Sequence, residues 1–487
     1  MPTNQSDRPL VYFNGIDGAT GGYHLEPHHP ADFALRVVGP AFGAAAAIAR
    51  PVVPQAAPLP PPPKYGRLSL IGADDSAVDP RTGWALVFAD GESDAVKRAL
   101  EPLIAHRKQQ VGASYRELVP YIQGCSWLDW LGAHDVSPGG FEPGKIPWYL
   151  TLVGGPDRIP FGFQYLLSVE YAVGRIAFET PDEYAAYAES VVRYETADKV
   201  SQGNWGAFFG TRHPNDGATQ ASADRLAGPL AAVPWRFRSR SYLAEQATKA
   251  TLGGILHGAD EPKSPALLFT ATHGIAFPRG HALTRERNGA LLCQEWPGVS
   301  AGTSADAAVE ALAESQYFAA ADVTDEARIH GTIAFHFACF GAGTPLYDQF
   351  ANLPGSPPRQ LADAPFVARL PQRLLSLKAG GALAVIGHVD RAWSYSFQTS
   401  SAGNQIGPFR ETIQRLFRGQ SVGRAIREFR DRYATLCVYA MCVQQKMEAG
   451  EHIDSEAYAE ILTECEDAQN YIILGDPAVT LRVADLE

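Results

Sequence analysis

The stretch Gly331-Thr332-Ile333-Ala334-Phe335-His336-Phe337-Ala338-Cys339-Phe340-Gly341-Ala342-Gly343-Thr344-Pro345 decides how this chain is read. Its first half is a short, almost continuously apolar run ending in a Gly-rich turn, the pattern of a strand buried on both faces of a parallel sheet. Ligands of open α/β sheets bind outside the carboxyl ends of such strands, which is where Cys339 falls. His336 stands three residues earlier. An odd offset on a strand puts it on the opposite face, so it is read as a packed strand residue.

A second run of this kind, Pro265 to Thr272, ends in His273-Gly274, 66 residues before Cys339 (339 minus 273). If both strands share one parallel sheet, imidazole and thiol leave the same edge. Chemistry needs the pair, because the thiolate is the nucleophile and a free Cys with a pKa of ~8.5 is mostly protonated at neutral pH. A nearby histidine takes the proton and later delivers it to the leaving amine. The backbone N–H groups of Gly274 and of Cys339 itself are candidates to hold the oxyanion, an effect worth roughly 3 to 4 kcal/mol in a comparable hydrolase. Caspases place their histidine about 50 residues before the cysteine, a spacing of this order. Taken singly, a strand-end Cys is more often inert core and a His-Gly pair a plain turn; the shared placement favours chemistry.

A length of 487 residues calls for two or three domains. The expected division is an N-terminal extension over 1–65 ending in a Pro-rich linker, an N-terminal α/β subdomain over 66–200 and a catalytic subdomain over 201–487. The linker is Pro51 to Pro63, a semi-rigid polyproline spacer. A net charge of −12 argues against a general nucleic-acid or anionic-membrane binder, since either surface would repel it. The six cysteines are scattered, with no Cys-x-x-Cys pair and no zinc spacing, so neither a metal nor any other cofactor is expected. This suits a reducing cytosol. The first residues lack the basic and apolar regions of a signal peptide, and Phe33 to Ala49 is interrupted short of a membrane span, so a cytoplasmic protein is expected.

Along the chain, Leu10 to Phe13 reads as a strand, followed by the turn-rich Asn14 to Gly22, which lacks a phosphate-binding fingerprint. Strands at Trp84–Phe88, Trp148–Gly155 and Glu170–Thr180 precede a helix capped at Thr180-Pro181. Strand Trp205–Phe209, helix Ala221–Ala232 and strand Trp235–Tyr242 follow. A helix over Ala305–Glu314 precedes the Cys339 strand. Gly381 to His388 is a third apolar strand, and helices near Phe409–Phe417 and Ser421–Val443 lead to a last strand around Tyr471–Leu481. Strands alternating with helices mean an α/β layer fold.

Four pieces then coincide. Val173-Gly174-Arg175 before a helix ending in Tyr194-Glu195, Thr272-His273-Gly274, Ala338-Cys339-Phe340-Gly341 and Leu474-Gly475-Asp476-Pro477 together resemble the gingipain-type cysteine peptidases of the caspase-like clan, over roughly Trp84 to Leu481. The resemblance implies a caspase-like three-layer α/β/α fold with a mostly parallel sheet, preceded by a smaller α/β subdomain. It implies His273 as general acid/base and Cys339 as nucleophile. It also implies an acidic residue for a basic P1 side chain just before the Val-Gly-Arg motif, where Glu170 is the one acidic residue of 164–170.

The expected activity is that of an intracellular cysteine endopeptidase acting on protein or peptide substrates. Its S1 pocket is expected between the Cys339 strand and the loop His388-Val389-Asp390-Arg391-Ala392-Trp393, with His388, Asp390, Trp393 and Glu170 as substrate-binding candidates. Asp390 either meets a basic P1 residue or bridges to Arg391. Latency is expected, relieved by an activating protease, a regulatory partner or self-cleavage at Arg279, Arg285 or Arg287 of the polar loop 277–289, with the Pro-rich segment 351–365 as the next place for a cut. Two alternatives stand beside this reading. One is a catalytically silent caspase-like scaffold; the other is a serine hydrolase using Ser300 of Gly298-Val299-Ser300-Ala301-Gly302, whose strand and helix context departs from a nucleophile elbow.

Overall fold

The computed structural model describes residues 11–38, 78–140, 142–259, 261–298, 311–350, 358–399 and 403–486. The polyproline spacer, residues 305–310 of the expected helix over 305–314, Ser300 and the first part of the 351–365 segment lie outside the described residues; 311–313 are not helical, and a 3-10 turn follows at Glu314–Gln316. Among the described residues no helix is long and apolar enough to cross a membrane.

Ten strands build one continuous sheet. They are β1 (Trp84–Phe88), β2 (Tyr115–Glu117), β3 (Tyr149–Val153), β4 (Ala172–Ile176), β5 (Gln202–Gly210), β6 (Arg238–Leu243), β7 (Ser264–Ala271), β8 (Ile333–Phe337), β9 (Ala384–His388) and β10 (Tyr471–Gly475). Their spatial order is β2-β1-β3-β4-β10-β9-β8-β7-β5-β6. Neighbours are parallel throughout except β9 and β10. The sheet is therefore two parallel halves of opposite direction meeting at one antiparallel seam. The expected boundary at 200/201 falls between β4 and β5, and β10, from the carboxyl-terminal part of the chain, lies between β4 and β9.

The apolar runs become strands because only a strand buried on both faces accepts them. β8 and β9 are buried along their whole length. On β1, Trp84 and Leu86 join one apolar cluster while Ala85 and Val87 join another, so helices cover both faces of the sheet. The result is the three-layer α/β/α arrangement.

Some elements differ from the expectation. The helix after Thr180 spans Pro181–Thr196 and starts with a reciprocal capping box between Thr180 and Glu183. The helix expected over Ala221–Ala232 begins earlier, at Gly217, and is interrupted by a π turn over Ala223–Ala227. β6 starts at Arg238 rather than Trp235. The helix near Ser421–Val443 is divided at Ile426 into Val422–Ala425 and Arg427–Glu448. A further helix, Ser455–Gln469, packs along the latter. Of the strand expected over Leu10–Phe13, Leu10 lies outside the described residues, and the strand described there is Phe13–Asn14.

Candidate active site

In the β7/β8 register Ala271 faces Phe337, and two residues beyond that pair stand His273 and Cys339. The Thr272 N–H donates to the Phe337 carbonyl at 3.1 Å, carrying the pairing to the sheet edge. Parallel strands in this register deliver imidazole and thiol side by side. Gly274 is pressed against the Cys339 backbone: a Cβ there would lie 2.8 Å from the Cys339 nitrogen and overlap its carbonyl oxygen. Only glycine fits. Among the described residues, neither the Gly274 nor the Cys339 N–H meets an acceptor, which leaves both donors available to an oxyanion.

The turn after Cys339 is held from the neighbouring strand end. Phe340 (φ 56°) and Asp390 (φ 62°) both take the left-handed conformation that bulky residues avoid. The Phe340 N–H donates to the Asp390 carbonyl at 2.7 Å and the Ala342 N–H to that of His388 at 2.9 Å. Surrounding structure that fixes two strained residues also fixes the thiol between them.

A carboxylate not foreseen from the sequence completes the cluster. Asp216 lies in the loop after β5, beside β7, and its Oδ2 is 2.8 Å from His273 Nε2. Nδ1 of the same ring accepts the Gly15 N–H at 2.9 Å. A ring nitrogen that accepts carries no proton, so the proton sits on Nε2 and is donated to Asp216. Asp216 also accepts from the Tyr23 hydroxyl at 2.8 Å and from Thr219 Oγ1 at 2.5 Å. Burial would raise its pKa, but the His273 ring and these hydrogen bonds outweigh burial and hold it well below the usual carboxylate range. Trp296 stands edge-on to the imidazole at 5.8 Å. His336, by contrast, points away and bonds Thr270 Oγ1 at 2.8 Å.

Cys339 is fully buried, and its Sγ accepts the Ala392 N–H at 3.1 Å. Burial pushes the thiol well above its ordinary pKa, against the opposing pull of that N–H and of Arg391. In this arrangement it is a protonated thiol.

The substrate-binding candidates are placed differently from the expectation. His388 is buried, its Nε2 3.0 Å from the Asp467 carbonyl, and it stands edge-on to Tyr471. Asp390 accepts the N–H groups of Gln349 at 3.2 Å and Arg391 at 2.8 Å. Arg391 is clamped in turn by both oxygens of Asp348, at 2.5 and 2.7 Å. Asp390 also stands 3.6 Å from the Arg391 guanidinium. The Trp393 ring packs against Phe33 and Phe350. Glu170, ahead of β4, accepts the Gly139 N–H at 2.7 Å. Asp390 is thus committed to main-chain donors, whereas Glu170 is engaged through Oε1 and its buried Oε2 has no hydrogen-bond partner among the described residues. In the loop 277–289, Phe277 is buried, and Arg279, Arg285 and Arg287 pair with Asp363, Glu179 and Glu314.

A solved structure described only as "Structure of Protease" is 14% identical over 84% of this chain and 81% of that one, with a TM-score of 0.44. The Arg specific cysteine proteinase gingipain R is 11% identical over 82% and 79%, with a TM-score of 0.41. The complex of Porphyromonas gingivalis RgpB pro- and mature domains is 11% identical over 82% and 80%, with a TM-score of 0.36. No curated protein matches. The sequence profile of peptidase family C25 matches residues 75–482, and the chain belongs to this family of cysteine peptidases.

Proposed function

We propose that this peptidase cleaves internal peptide bonds with Cys339 as nucleophile, His273 as acid/base and Asp216 as the residue that positions His273. His273 Nδ1 takes the thiol proton, and Sγ attacks the scissile carbonyl carbon. The oxyanion that forms faces the N–H groups of Gly274 and Cys339. The carbon–nitrogen bond then breaks as Nδ1 returns its proton to the leaving amine, giving a thioester that water hydrolyses by the same route. The observation that carries this reading is the pairing of strand-end His273 and Cys339 with a buried carboxylate behind the imidazole.

The substrates are proteins or peptides, and the setting is intracellular, where a reducing compartment keeps the thiol usable. Activity is held back until a cut or a partner opens the cleft. A basic P1 preference rests on the resemblance; Asp390 is engaged by main-chain N–H groups, and Glu170 keeps one oxygen unpartnered among the described residues. Cys339→Ala and His273→Ala should each abolish cleavage of an unfolded protein while leaving the thermal unfolding transition in place. Full activity in Cys339→Ala together with its loss in Ser300→Ala would transfer the assignment to the serine-hydrolase alternative.

A further inference from the structure

The cleft between His273 and Cys339 is occupied by the chain itself. Phe13–Asn14 pairs antiparallel with Ala392–Trp393, Asn14 opposite the residue whose N–H holds Cys339 Sγ. One residue later the Gly15 N–H binds His273 Nδ1, and a Cβ on Gly15 would lie 3.4 Å from Sγ. Ile16–Asp17 then pairs in parallel with Ile275–Ala276, and the Gly18 N–H reaches the Ala276 carbonyl at 2.8 Å. The chain thus crosses the dyad as one extended strand, bound by main-chain pairing on both sides. This is how clefts take peptides by strand addition.

Side chains follow the same path. The Tyr12 ring occupies the space that any side chain at Gly217, next to Asp216, would need. A cavity of about 620 Å³, lined in part by Val11, Tyr12, Gly217 and Tyr395, continues from there. The loop is tied back on itself by the His24 N–H to the Gly15 carbonyl at 2.9 Å and by paired bonds between Val11 and His28. His24 Nδ1 accepts from Arg391 at 2.9 Å, joining the loop to the turn behind the thiol.

We propose that residues 11–28 are a tethered, substrate-like occupant of the cleft, with Asn14 in the position of the P1 residue and the Gly15 nitrogen in that of the leaving amine. The enzyme accordingly prefers a neutral amide side chain at P1 over arginine. This rests on the peptidase reading above. It fits the engagement of Asp390 by the N–H groups of Gln349 and Arg391 and the presence of the Arg391 cation behind the thiol. The occupant also disables the dyad, because the lone pair that should accept the thiol proton is engaged by the Gly15 N–H.

Two measurements on the full chain test this, one independent of catalysis. Gly15→Glu crowds Sγ and His24, and Ile16→Asp puts a charge into the apolar cluster around Ile275 and Trp296; either should release the strand. Alkylation of Cys339 by iodoacetamide, followed by mass spectrometry, should then run at least roughly tenfold faster than in the parent chain. Equal rates in the parent and in both variants would overturn the occupancy. In the released chains, the fluorogenic peptide Val-Tyr-Phe-Asn should be hydrolysed at least about tenfold faster than Val-Tyr-Phe-Arg. Preference for the arginine peptide would overturn the assignment of Asn14. Faster alkylation with neither peptide cleaved would establish the occupancy and overturn the peptidase reading instead.

Discussion

Replacing Asp216 by Asn separates the positioning of His273 from every other feature of the cleft. The substitution removes a buried, charge-assisted hydrogen bond of 2.8 Å to Nε2. Such a bond is worth about 1.5–3 kcal/mol, or roughly 10- to 150-fold in rate. A second effect adds to it. An asparagine amide turned toward Nε2 donates rather than accepts, which drives the ring proton to Nδ1, the nitrogen that must receive the thiol proton. The equivalent swap in serine proteases lowers kcat by about 10⁴. For Asp216→Asn we expect kcat to fall by between about 10² and 10⁴. KM should change little, because Asp216 lies behind the imidazole and not along the bound strand. The asparagine Oδ1 still accepts from the Tyr23 hydroxyl and from the Ala218 N–H at the helix start, so the fold should persist, although the Thr219 hydroxyl must turn to another partner. The assay is steady-state hydrolysis in the Gly15→Glu background, with the unfolding transition followed in parallel. A kcat within about threefold of that background would refute the positioning role.

Three further outcomes are expected. Gly274→Ala must force Cys339 and its strand end apart, so activity should drop by more than about 10²-fold, with a loss of about 1–3 kcal/mol in stability measured by denaturant unfolding; near-normal kinetics would contradict the close packing. Glu195 is buried against Arg107 and His106; burial alone would raise its pKa, but Arg107 dominates and lowers it from 4.5 to about 2, a difference of about 3 kcal/mol. Because the folded value is the lower one, this contribution is complete above about pH 4.5 and is lost as the pH falls toward 2, so the Tm deficit of Glu195→Gln at pH 7 should shrink by pH 3, and an unchanged deficit would argue against it. Arg391→Met leaves Asp348 and Asp390 buried without their cation and should destabilise the chain by about 3–5 kcal/mol, read by chemical denaturation.

What was legible in the sequence follows physical range. Cys339 and His273 end apolar runs that only interior strands accommodate, and period two separated His336 from Cys339 without any tertiary information. Asp216 was not legible, because its strand, Gln-Gly-Asn-Trp-Gly-Ala-Phe-Phe-Gly, is apolar only toward its end and its place beside β7 is set by sheet order rather than by local pattern. The helix Ser455–Gln469 escaped because its buried face includes Thr463, Glu464 and Asp467, polar groups that find partners only after folding. The role of Gly15 depends on a hydrogen bond spanning 258 positions, and nothing in the neighbouring residues announces it.

The strand β10 has a consequence for biosynthesis. It is translated after the other nine strands, yet it occupies the seam between the two parallel halves. Until residues 471–475 are made, β4 and β9 present open edges, and the pairing that steadies the turn behind Cys339 from β9 is missing its far side. The carboxylates that arrive with this region are spent on distant partners: Asp467 on Ser396 and the Trp393 N–H, Asp476 on Trp84 and Arg107. A nascent chain therefore carries an unfinished cleft on the ribosome until residues 471–475 are made, and their pairing closes the sheet and completes the support behind the thiol in one step.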